Sequence, residues 1–164
     1  MAETVIIADS SPLVGLARIG RLELLKRMAR EVVVPSAVWR ETTSRPSKPG
    51  AIEISRADWI VVVPVDERQV SKFLQDVDRG EAEAIALAMT RPEGILLADD
   101  RRARRLAEQH GLRIKGTVGL LAEAWRLGFI PQLRPELDAL RANGLFVHPD
   151  LIASVLKETG ELKI

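Results

Sequence analysis

The sequence predicts an α/β fold, with a parallel sheet held between helical layers, on three observations. Short β-branched runs alternate with longer stretches of helical periodicity. The short runs are continuously apolar, as strands covered on both faces should be. Two of them end in acid: "VIIADSSP" (5–12) in Asp9, and "ILLADDRR" (95–102) in Asp99 and Asp100.

Taken in order, the first strand is read at Val5–Ala8. "SPLVGLARIGRLELLKRM" follows with apolar residues at helical spacing and a break near Gly20. Its start is read at Ser11–Pro12, a hydroxyl cap and then a residue that needs no amide hydrogen. The second strand is Val32–Val34, and "PSAVWRET" begins a helix at Pro35 or Ser36. "TTSRPSKPGA" (42–51), polar and proline-bearing, reads as the clear loop of the chain. After the third strand, Ile60–Val63, "ERQVSKFLQDV" and "GEAEAIALAMT" read as two helices divided at Asp78–Gly80. The fourth strand, Ile95–Ala98, leads into the helix "DRRARRLAEQHG", closed by Gly111 in a left-handed cap. A short fifth strand, Arg113–Lys115, precedes "TVGLLAEAWRLG", which ends at Gly128. Helices at roughly 134–142 and 149–158 follow Pro135 and Pro149. The expected organisation is a single domain, 1–164, with 132–164 as a C-terminal helical appendage.

At 164 residues the chain can build one real core. Its 46% apolar and 29% charged content is ordinary for a globular protein, and a net charge of +1 favours no class of partner. There is no cysteine, which excludes disulfides, thiolate metal sites and cysteine nucleophiles. Two histidines, His110 and His148, are too few for a histidine-rich metal site. No signal peptide and no membrane-length apolar run is read, so a cytoplasmic protein is expected.

Right-handed crossovers put the C-terminal ends of all strands of a parallel sheet on one rim, where ligands bind. Asp9, Asp99 and Asp100 should therefore share that rim. Glu41, about a turn and a half into its helix, and Glu81, at the start of the next but one, are candidates to join them. Glu83 lies two residues on and should point elsewhere. Taken singly, each acid is as readily a helix cap or a solvated residue. Together they would repel unless cations sit between them or some bind a proton. Mg²⁺ or Mn²⁺, hard ions that take oxygen ligands, would resolve that conflict. Two such ions about 3.5–4 Å apart can activate a water and stabilise the leaving oxygen of a phosphodiester.

Asp9 in "ADSSPL", Glu41 in "PSAVWRE", Glu81 in "GEAEAIALA" and the stretch "LLADDRRARRLA" resemble, in that order, the PIN-domain nucleases. The resemblance is closest to the VapC-type toxins of toxin–antitoxin pairs and spans roughly residues 4–130. It implies a three-layer α/β/α sandwich with a central, mainly parallel five-stranded sheet. It also implies an endoribonuclease dependent on Mg²⁺ or Mn²⁺, with a small antitoxin as partner and a homodimer as its assembly. Carried over by position, Asp9, Glu41, Glu81 and Asp100 match the family's acidic quartet, and Asp99 stands beside Asp100 as an alternative or additional ligand. Asp9 and Asp100 would bind metal directly, with Glu41 and Glu81 completing the cluster directly or through water. Ser10 stands where the family commonly has threonine and keeps its hydrogen-bonding oxygen.

Arg101, Arg104 and Arg105 share one side of a helix that starts beside the acids, and would hold RNA phosphates or form a solvated face. Thr117 reads as a helix cap, with a place near the phosphate as the sharper alternative. Trp39, Trp59 and Trp125 read as core. Two enzyme-class rivals fit less well. A haloacid-dehalogenase-type phosphatase needs a second aspartate where Ser11 stands, and a phosphoacceptor receiver domain needs its acceptor where Pro64 stands. A PIN-like module kept for binding RNA or protein is the non-enzyme alternative.

Overall fold

The computed structural model describes residues 4–161. Five strands, β1 (Val5–Ala8), β2 (Glu31–Pro35), β3 (Ile60–Val63), β4 (Gly94–Leu97) and β5 (Ile114–Lys115), form one sheet. All pairings are parallel and the order is β3-β2-β1-β4-β5. The fold is the α/β, PIN-like sandwich that the sequence predicts. A receiver domain has the doubly wound order 2-1-3-4-5, so the sheet order also separates this chain from that rival.

Why the strands read as unbroken apolar runs is visible in their packing. Ile6, Ala8, Val32, Val34 and Leu97 face one buried cluster, while Val5, Ile7, Val33 and Leu96 face another. Successive side chains point to opposite faces of a sheet, so covering both faces removes the polar alternation. One layer contains α1 (Ser10–Arg18), α2 (Glu23–Met28) and α8 (Thr117–Arg126), joined by α9 (Arg134–Ala142) and α10 (Pro149–Thr159). The opposite layer contains α5 (Glu67–Val70), α6 (Arg79–Met89) and α7 (Arg101–Gln109). Between β2 and β3, α3 (Ser36–Thr43) and α4 (Ala51–Ser55) pack Val38 and Ile54 into the first cluster. Trp39, Trp59 and Trp125 pack against the same cluster, half-buried, as expected.

The C-terminal helices are tied in by several groups. Leu137, Leu140, Val155 and Leu156 are buried in the first cluster. Arg21 donates to buried Glu136 at 2.5 and 3.0 Å. Glu161 accepts from the backbone N–H groups of Leu133 and Arg134 at 2.8 and 2.7 Å, so the end of the described chain caps the start of α9. Among the described residues, no helix is long and apolar enough to cross a membrane.

Four local expectations need correction. The first helix starts at Ser10 with Asp9 in the cap position, so Ser11 is not its cap. The stretch 42–51 is not all loop. Thr42 and Thr43 bond back to the carbonyls of Val38 and Trp39 at 2.8 and 2.6 Å, which keeps them in α3, and Ala51 opens α4 around buried Ile54. "ERQVSKFLQDV" is helical only over Glu67–Val70. Beyond it, Phe73 and Asp76 donate to residues three back, giving tight turns that still bury Val70, Phe73 and Val77 in the second cluster. Thr117, finally, does not cap α8, whose cap position is Gly116.

Candidate active site

The sheet order sets the site. β1 lies between β2 and β4, so the chain leaves β1 towards one edge and later returns to its other side. A crevice outside the strand ends is the outcome where the order of a parallel sheet reverses. Here it opens between the ends of β1 and β4, the two strands that end in acid. One cavity of about 970 Å³ is lined there by Asp9, Glu41, Asp78, Glu81, Asp99 and Asp100. That volume is near the top of the range for small-molecule pockets, roughly 300–1,000 Å³. All five acids singled out in the sequence thus border the same space, though they come from β1, α3, α6 and β4.

Each is placed by a local cause. Asp9 follows β1 directly, is buried, and accepts no side-chain capping hydrogen bond. Its pKa is pushed up to about 7. Burial is the largest cause, the Asp78, Glu41 and Asp99 carboxylates add to it, and the Ser10 backbone N–H opposes them. Glu81, in the first turn of α6, is also pushed up to about 7, by burial and then by Asp78, Asp100 and Asp9. Two carboxyls poised at that pH carry the cost of unneutralised charge in a confined space.

The remaining acids are held by donors. Asp99 accepts from the Thr117 N–H at 2.8 Å and from its Oγ1 at 2.6 Å. Fully buried Thr117 therefore spends its hydroxyl on fixing an acid rather than on capping its own helix. Asp100 caps α7 by accepting from the Ala103 N–H at 2.9 Å. Glu41 accepts from Ser10 Oγ at 2.6 Å, so the hydroxyl after the first aspartate steers a glutamate on another helix. Glu83 stands outside the cavity, as its spacing implied. It is buried, accepts from the Ala37 N–H at 3.1 Å and meets Arg79 at 3.4 Å, joining α6 to α3.

Asp78 carries no role in the sequence reading beyond marking the gap between two helices. In the structure it caps α6, accepting from the Glu81 N–H at 2.9 Å, and lines the cavity. The signal lay in "DRGEAEA", where an aspartate precedes a glutamate by three residues at a helix start. Gly80 between them has a steric reason: a Cβ there would meet Glu41 Oε2 at 2.8 Å. The missing side chain lets α6 approach the Glu41 carboxylate.

Of the basic residues, Arg101 and Arg104 line the acid cavity. Arg104 is partly committed, donating to the Ala98 carbonyl at 2.9 Å. Arg105 borders an adjoining hollow along α7, together with Arg101, Arg104 and Glu108. Phe146 and His148, from a segment that carries no site role in the sequence reading, also line this cavity.

The donors suit a hard divalent ion, since every acid supplies carboxylate oxygen and no sulfur is present. Among the described residues, no three acids or histidines are drawn together as ligands to one ion. The raised pKa values of Asp9 and Glu81 add an electrostatic reason for a cation at this place.

None of the curated proteins compared with this sequence matches it. A family model described as PIN domain does, over residues 5–161, nearly the whole chain and the span that builds both the sheet and the crevice. The chain belongs to the PIN-domain family.

Proposed function

We propose that the protein is a Mg²⁺- or Mn²⁺-dependent endoribonuclease whose site is the acid-lined crevice between β1 and β4. The observation that carries this reading is the meeting of six carboxylates on one cavity, two of them pushed up to about 7. Asp9, Glu81, Asp99 and Asp100 would hold the metal, and Glu41 completes the catalytic set. A bound divalent ion supplies the positive charge and the activation of water that phosphodiester hydrolysis requires. The chain's own groups provide position. Ser10 orients Glu41, Thr117 orients Asp99, and the α7 backbone holds one oxygen of Asp100. Arg101 and Arg104, which line the cavity, would take a substrate phosphate, with Arg105 continuing the basic path along α7.

Cleavage of a labelled RNA with Mn²⁺, with EDTA, and with Asp9→Asn tests this reading. The expected outcome is cleavage by the wild type with metal, abolished both by EDTA and by the substitution, with the circular dichroism of the variant unchanged. Metal-independent cleavage, or full activity in Asp9→Asn, would count against it. Resemblance to the toxins of type II toxin–antitoxin pairs supports a small antitoxin as partner and a homodimer. Growth arrest on expression, relieved by the product of an adjacent small gene, is the corresponding test.

A second reading, a PIN-like module that binds without cutting, is favoured by the lack of a ready-made ligand trio among the described residues. The two readings separate on thermal shift, because a ligand bound only by the native state raises the melting point. No shift at millimolar Mn²⁺ would favour the binding module.

A further inference from the structure

Glu83 is a buried carboxylate that does not line the crevice, only 5% exposed and flanked on α6 by buried Ala82 and Ala84. Burying such a group is costly unless donors meet it. One oxygen accepts from the Ala37 N–H at 3.1 Å, and the other meets Arg79 at 3.4 Å. Glu67 grips the same guanidinium at 2.8 and 3.0 Å. Ala37 lies in the first turn of α3, where backbone N–H groups have no partner within the helix. The cap position there is Pro35, which makes no side-chain hydrogen bond. A carboxylate from α6 therefore caps α3 in place of a local residue, at the end of the helix dipole that favours negative charge.

This cap also sets a register. Ala37 and Glu41 are four residues apart on α3, and Gly80 and Glu83 are three apart on α6, so each pair shares one face of its helix. The Ala37–Glu83 bond forms one rung between the helices. The second rung is the close approach of Glu41 to Gly80, where a Cβ would stand 2.8 Å from Glu41 Oε2. The start of each helix thus meets the later part of the other. Of the two, α6 has its own hold, through its Asp78 cap and its buried run from Ala82 to Ala88. Loss of Glu83 would therefore loosen α3 rather than α6. A slip of one residue would carry Glu41 about 1.5 Å along the helix axis. Displacements near 1 Å are enough to cost an active site roughly a hundredfold.

We propose that Glu83 is a positioning residue: by capping α3 from α6 it fixes Glu41 relative to Glu81, and so tunes how the crevice binds metal. This deepens the nuclease reading and rests on it. Glu83 acts through Glu41 and not on metal or substrate.

The test uses the full-length protein well below its melting temperature. Mn²⁺ binding is measured by titration calorimetry, and cleavage of labelled RNA is followed at saturating Mn²⁺. Glu83→Ala should weaken Mn²⁺ binding by roughly tenfold to a hundredfold, the range for groups that orient metal ligands. It should lower kcat by up to a similar factor and leave KM for RNA unchanged. Glu83→Gln keeps an oxygen for the Ala37 N–H and should restore most of both. In a Glu41→Gln background, Glu83→Ala should add no further loss of Mn²⁺ affinity, because two changes that act through one group are not additive. If Glu83→Ala does not fold, Glu83→Asp, which keeps the charge but shortens the reach, carries the test with the same expectation. A lower melting temperature with wild-type Mn²⁺ affinity and kcat would make Glu83 a purely structural link, overturning the proposal while the nuclease reading stands. Additive losses in the double variant, or no rescue by Glu83→Gln, would overturn it equally. A wild type that neither binds Mn²⁺ nor cuts RNA would overturn the nuclease reading and the positioning role together.

Discussion

The two ends of the crevice hold the same functional group in different surroundings. At the β4 end Asp99 takes two hydrogen bonds from Thr117 and Asp100 takes one from α7. At the β1 end Asp9 is buried, has no capping donor, and is pushed up to about 7. At Asp9, burial and the neighbouring carboxylates outweigh the one backbone N–H it accepts, from Ser10, so its neutral form is favoured until something positive arrives. The crevice is therefore half satisfied from within. Its unsatisfied half, Asp9 with Glu81, marks where charge must be supplied from outside.

Removing the charge from the bare end should have the largest effect. Without metal, Asp9→Asn is expected to stabilise the fold by on the order of 2 kcal/mol at pH 8, about half the ceiling implied by a three-unit shift. In a chain of this size that raises the melting temperature by about 4–8 °C. The same variant should lose its response to Mn²⁺. A calorimetric scan in EDTA checks the first statement and a scan in Mn²⁺ the second.

Removing a donor from the satisfied end should act in the opposite direction. Thr117→Val keeps the shape of the buried side chain but withdraws the hydroxyl from Asp99. A loss of about 1.5–3 kcal/mol at neutral pH is expected, as for a hydrogen bond to a charged group. Equal stability in urea unfolding would mean that Asp99 does not depend on Thr117, and the contrast between the two ends would fail.

The pH dependence follows from the sign of the shifts. Asp9 and Glu81 rise from ordinary values of 3.8 and 4.5 to about 7 on folding, so the native state holds protons that the unfolded chain has released. Their contribution to stability is therefore fully present below about pH 4, declines as pH rises, and is lost once pH passes about 7. The metal-free melting temperature should decline by a few degrees from pH 5.5 to 8, and Asp9→Asn should flatten that decline. Affinity for Mn²⁺ should rise over the same interval, because binding expels those protons. A metal-free protein that gains stability across that range would contradict the assignment.

The smallest effect on stability is expected at Gly80. Alanine there would press on Glu41 Oε2, the tip of a side chain that can swing away. Stability should change by less than about 1 kcal/mol, the scale of helix propensity. Displaced Glu41 should nevertheless slow cleavage, by up to roughly a hundredfold for a misplacement near 1 Å. Unaltered cleavage would show that Glu41 does not need its present position.

How far the residues could be read depended on whether their signal was local. Strand positions were legible because a buried parallel strand must be apolar on both faces, and Val5–Ala8, fully buried, matches to the residue; Ile60–Val63 also matches, although Val61 and Val62 of this edge strand are exposed. The break at Gly20 and the stops at Gly111 and Gly128 were legible because all three glycines adopt positive φ, a backbone state other residues avoid. Asp78 was passed over because an aspartate before a helix has an adequate local explanation as a cap, and its second role depends on Asp9 being near. Phe146 was passed over because exposure cannot be read from residue type. The helical reading of 67–77 failed because its apolar spacing suits a series of tight turns as well as a helix.

By itself the sequence determined the layers, the direction of the strands and the acids that end two of them, since each follows from periodicity and chain connectivity. Only the tertiary structure decided that β4 returns beside β1, and so that Asp9 and Asp99–Asp100 face each other across one crevice. It also decided which carboxylates meet side-chain donors and which burial pushes towards the neutral form, and that the turn after α9 brings Phe146 to the lining of that cavity. Strand order, burial and electrostatic neighbours are relations between residues distant in the chain, and local pattern does not encode them one residue at a time.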